Sequence, residues 1–123
     1  MEINIWMILL VLFLHWVTDF VLQNDWMAKN KWQDTDALLS HIFVYTTVFF
    51  VFSYILGLVY SDMSWLLYGL LVGVLHFFTD KYTSRWTHRL WEEKKVHKFF
   101  VVIGFDQLLH FVQLLTLFAL FKN

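Results

Sequence analysis

The 123-residue sequence has no cysteine, no proline, only four glycines and only 15% charged residues. Without cysteine there is no disulfide, no thiolate nucleophile and no sulfur-rich metal site, so any chemistry falls to His, Asp, Glu, Ser, Thr and Lys. Without proline, no helix is kinked by one. A net charge of -1 excludes a strongly basic nucleic-acid binder, and no low-complexity or Gly/Ser-rich linker divides the chain, so one domain is expected. What is abundant is oil: 59% of residues are hydrophobic and 21% aromatic, against roughly 45–50% apolar in an ordinary soluble domain. A globule this small has too little interior to hide them all, and lipid is the expected cover.

Four hydrophobic segments, Ile3–Leu22, Ala37–Tyr60, Ser64–Asp80 and Phe99–Phe121, are each about long enough to cross a bilayer that needs ~20 helical residues. The apolar start is read as a retained helix rather than a leader, because Glu2 stands where a basic residue is expected and no small-residue cleavage site follows. Gly57, Gly69, Gly73 and Gly104 lie in or near these segments, where small residues let helices approach. All but one of the nine Lys and Arg lie in the connections Lys29–Lys31 and Lys81–Lys98. The positive-inside rule then places both long loops in the cytoplasm and both termini outside. In the stretch 82–97, Trp86, Leu90 and Trp91 recur at near-helical spacing among basic residues, which predicts an amphipathic helix along the membrane surface. Trp26, Trp32, Trp86 and Trp91 are expected as interfacial anchors.

The pattern LHxxTD occurs twice, at Leu14–Asp19 and Leu75–Asp80. The partner segments echo each other as well, with His41 and His110 near their starts and Thr47 and Thr116 six residues on. The expected fold is therefore an all-α integral membrane bundle of four transmembrane helices, built from two similar helical hairpins plus the interfacial helix.

Residues i and i+4 share a helix face, and three His–Asp pairs have that spacing: His15/Asp19, His76/Asp80 and Asp106/His110. His41 is a seventh group. Alternating helix directions bring all seven to one depth in the cytoplasmic half. Carboxylates buried there need a compensating charge, which one or two divalent cations supply. The donors suit Zn, Mn or Fe and argue against sulfur-bound copper. His41 is either a further ligand or a general base and proton shuttle. Gln23, Ser84 and Gln107 extend the same stripes as outer or substrate contacts, and Lys31, Lys81 and Arg85, with Lys29, flank the site where anionic head groups would arrive. His88 and His97 are expected to be solvated.

The motifs His15-x-x-x-Asp19-Phe20-x-Leu22-Gln23, Met27-Ala28-x-x-Lys31, His41, His76-x-x-x-Asp80 and Gly104-Phe105-Asp106-Gln107-x-x-His110 resemble a family of small bacterial and phage membrane proteins known only as a domain of unknown function. The resemblance implies a four-span protein of a bacterial inner membrane or a phage-infected host membrane and carries over no activity. A looser likeness, in residue types and depth, is to bacterial membrane-bound metal-dependent hydrolases. The leading expectation is a metal-dependent hydrolase that acts on a lipid-like or phosphorylated substrate at the inner leaflet. A divalent-cation or proton transporter and a non-catalytic accessory subunit are the alternatives, with a second copy or a larger membrane protein as partner.

Overall fold

A computed structural model describes residues 3–123; Met1 and Glu2, the acid that argues against a leader, lie outside them. The chain is all-helical, with no strand among the described residues. Helix α1 (Ile5–Trp16) starts at Asn4, whose side chain accepts from the Trp6 N–H at 2.8 Å. It runs into a π-helical turn, Val17–Val21, closed by a hydrogen bond from the Leu22 N–H to the Val17 carbonyl at 2.8 Å. A short helix, α2 (Asp25–Asn30), is capped by Asn24, and α3 (Thr35–Val59) by Asp34. Helices α4 (Trp65–Glu92) and α5 (Val96–Lys122) complete the chain. Of these, α3 and α5 are long and apolar enough to cross a membrane.

Away from the loop that carries α2, α1, α3, α4 and α5 share one core. Val11, Tyr45, Phe49, Phe52, Leu56, Trp65, Tyr68, Val72, Leu114 and Phe118 are buried together there, and the Tyr68 hydroxyl donates to the Leu114 carbonyl at 3.1 Å. Two glycines set the α3–α4 spacing. A Cβ on Gly69 would lie 2.9 Å from the Phe49 carbonyl oxygen and the Phe50 Cα, and one on Gly73 would strike the Thr46 side chain. Gly104 departs from the expected packing role, because its face is open with nothing near.

Two turns end helices without glycine. Ser61 after α3 (φ 53°) and Lys94 after α4 (φ 58°) take the left-handed conformation, and the next residue's N–H reaches back to close the helix, Asp62 to Gly57 and Lys95 to Leu90, each at 2.9 Å. The interfacial helix expected over 82–97 is therefore corrected: α4 continues unbroken to Glu92, and only Glu93, Lys94 and Lys95 separate it from α5. The sequence holds the reason. Thr83, Ser84, Thr87 and Leu90 carry the buried face of α4 past Asp80 at helical spacing, so no boundary forms at Tyr82. With about 1.5 Å of rise per residue, the α4–α5 hairpin reaches well beyond the level of Asp80, and a cavity opens between it and α2.

Candidate metal centre

The π-helical turn, α3, α4 and α5 each bring carboxylate or imidazole groups to one point. His15, Asp19, His41, His76, Asp80, Asp106 and His110 are all buried. The closest approach is between helices rather than within the i,i+4 pairs. His41 Nε2 lies 3.0 Å from His76 Nε2 and 3.0 Å from Asp19 Oδ1. Asp80 Oδ2 lies 3.2 Å from His41 Nε2 and 3.3 Å from His76 Nε2, and Asp19 Oδ1 is 3.2 Å from His76 Nε2. A second grouping, Asp19, Asp106 and His110, adjoins the first. Either set can hold a metal ion by its donor types and spacing.

Asp80 links the two groupings: its other oxygen, Oδ1, is 3.1 Å from His110 Nε2, while Lys31 Nζ donates to Oδ2 at 3.0 Å. Burial alone would lower the Lys31 pKa, but Asp80 and then Asp19 outweigh it and hold the ammonium above its ordinary value. Asp106 accepts from the Thr83 hydroxyl at 2.6 Å.

His15 stands in neither ligand grouping. The Gln107 amide N–H donates to Asp19 Oδ2 at 3.1 Å and Asp106 Oδ2 at 3.0 Å, which turns its carbonyl oxygen to His15 Nε2 at 2.7 Å. His15 Nε2 therefore carries the proton, and Nδ1 accepts from the Tyr45 hydroxyl at 2.7 Å. Tyr45 also stacks on the His76 ring, with centroids 3.8 Å apart. Sequence reasoning missed Tyr45 and Thr83, although each lies one turn from a group it singled out, His41 and Asp80 respectively.

A cavity of about 540 Å³ opens onto this cluster. Asp19, Asp106 and Gln107 reach it from the cluster, Lys29 and Lys31 from the α2 side, and Phe20, Trp91, Phe99, Phe100 and Ile103 give it apolar walls. Gln23 and Ser84 line it too, and Gln23 Oε1 and Ser84 Oγ are buried there without a hydrogen-bond partner. Lys81 and Arg85 do not line this cavity: Lys81 lies near the Tyr82 ring and Arg85 donates to the Trp32 carbonyl at 3.3 Å. His88 is not the solvated loop residue expected. It is half-buried in α4, lines the cavity and stacks on Trp32 with centroids 3.6 Å apart, whereas His97 is exposed.

The fold and site define an all-helical protein with a buried His/Asp cluster under a cation-flanked cavity. By sequence the chain belongs to DUF3307, a family described as proteins of unknown function, whose family model matches residues 7–123. No curated protein and no solved structure matches it.

Proposed function

We propose that this is a membrane-embedded metal-binding protein that works as a metal-dependent hydrolase on a lipid-like, phosphorylated substrate. The observation that carries the metal is the convergence of His41 Nε2, His76 Nε2, Asp19 Oδ1 and Asp80 Oδ2 with contacts of 3.0 to 3.3 Å. Ligand atoms about 2.0–2.1 Å from a tetrahedral Zn²⁺ lie about 3.3 Å from one another. The donors equally suit Mn or Fe. His41 is fully buried and absent from the cavity wall, which favours a ligand over a general base.

Membrane embedding is supported by the outward faces of the helices, where Phe43, Val51, Ile55, Leu67, Val74 and Leu108 are exposed. In this reading α1 with its π turn, α3, α4 and α5 form four spans; α3 packs chiefly on α4 and α4 on α5, while α1 meets α5, so the expected division into two hairpins is not kept. The basic residues around the cavity support a mouth in the cytoplasm with both termini on the far side. The aromatic core between Tyr45 and Phe118 fills the other half of the helices, so the arrangement favours a dead-end site over a transport path.

A bound divalent cation would polarise a phosphoryl oxygen and acidify a water. Lys31 and Ser84 line the cavity, which supports a role for them in holding phosphate oxygens, and the walls from Phe20 and Phe99 to Ile103 suit an acyl chain. Water attacks phosphorus, the ester P–O bond breaks, and the proton of the water ends on the departing alcohol oxygen. The test is elemental analysis of detergent-purified protein beside phosphate release from a detergent-solubilised phosphatidic acid. Bound divalent metal and chelator-sensitive phosphate release, both lost in His41→Ala, are expected. Protein that is folded and free of metal overturns the reading, and metal-loaded protein that releases no phosphate overturns the substrate.

A further inference from the structure

The two groupings of donor atoms differ in access. In the first, only Asp19 reaches the cavity, and His41, His76 and Asp80 lie behind it. The second offers three side chains, two of which, Asp19 and Asp106, line the cavity. Structural metal sites are closed by four protein ligands, whereas catalytic ones keep three and leave a position open. We infer, resting on the metal reading above, that the cluster takes two divalent cations. The second is held by Asp19, Asp106 and His110 and enters together with a phosphate group from the cavity.

Carboxylate geometry supports the pair. Asp80 turns Oδ2 to His41 and His76 and Oδ1 to His110. Asp19 turns Oδ1 to the same two histidines and Oδ2 to Gln107, beside Asp106. Each carboxylate thus faces both groupings with different oxygens, as a bridging ligand does, and ions in two-metal sites lie about 3.5–4 Å apart.

Charge explains why the second ion needs company. With each imidazole neutral as a metal ligand, Asp19, Asp80 and Asp106 offset only the Lys31 ammonium and one of the two divalent cations. A second cation leaves two positive charges in surplus in a buried site, and a phosphate dianion cancels them. Until then the Gln107 amide stands in: its N–H groups bind Asp19 and Asp106, the two carboxylates of the second grouping. Gln107 lines the cavity, so the incoming phosphate meets it directly.

The test uses full-length protein in detergent, stripped by chelator, loaded with Mn²⁺ and freed of excess, with and without inorganic phosphate. Elemental analysis is expected to give about one Mn per chain without phosphate and about two with it, the electron paramagnetic resonance spectrum changing from isolated to exchange-coupled ions. Asp106→Asn is expected to stay at the lower loading in both conditions. Gln107→Glu, which supplies one of the two missing negative charges, is expected to raise the loading above one ion without phosphate. A wild type fixed at one ion in both conditions overturns this inference and leaves the metal reading standing, whereas no ion in either condition overturns both. Asp106→Asn that still reaches the higher loading overturns the assignment of the second position.

Discussion

Toward the α3–α4 turn, α3 and α4 meet over Gly69 and Gly73 and the space between helices is filled by Phe49, Phe52, Trp65, Tyr68 and Phe118. Toward the cavity, the same helices are joined by His41, His76 and Asp80, with Lys31 reaching in from the loop. The first region gains from shape and tolerates little added volume. The second gains only while every charge keeps its partner, because a buried ion left alone costs far more than an imperfect apolar contact. One set of helices thus carries a packed end, which fixes spacing, and a polar end, which that spacing makes accurate.

The largest effect is expected from Asp80→Ala. It strands Lys31 and removes the oxygens facing His41, His76 and His110, and a loss of about 3–5 kcal/mol is expected. Thermal unfolding in detergent checks it; a smaller loss than that of a packing mutant would reverse the ranking of the two regions. Gly69→Ala probes the packed end. Its Cβ meets α3 backbone, which cannot rotate away, so a loss of about 1–3 kcal/mol is expected, while Gly104→Ala on an open helix face is expected to gain up to about 1 kcal/mol from helix propensity. Equal effects at the two glycines, by the same unfolding measurement, would remove close approach as the cause. Lys94→Gly should have a similarly small effect, a gain of about 1 kcal/mol from relief of its left-handed backbone, read as a raised unfolding temperature.

Much of this is legible in the sequence because it rests on helical spacing. The pairs His15/Asp19, His76/Asp80 and Asp106/His110 each need only one turn of helix to share a face, and the structure brings all of them and His41 to one place. Which groups touch is not legible, since the tight contact of His41 with His76 depends on the distance between α3 and α4. The π-helical turn that carries Asp19 has no marker residue in Val17–Val21. The length of α4 is hidden for want of a stop signal: the turn at Lys94 uses a non-glycine residue in the left-handed region, where glycine would have announced it. Tyr45 escapes notice because an aromatic residue in an apolar helix reads as core until its hydroxyl is found against His15.

The sharing of Asp80 among three histidines and a lysine bears on how the chain assembles. Its partners come from both sides of it in the sequence, Lys31 and His41 before it and His110 after it. During synthesis the carboxylate emerges while α5 is still unmade, so the clasp closes only after α5 arrives. A truncated chain ending before His110 would hold its α1, α3 and α4 segments without the His110 contact to Asp80, so the arrival of α5 is the event that closes the polar cluster.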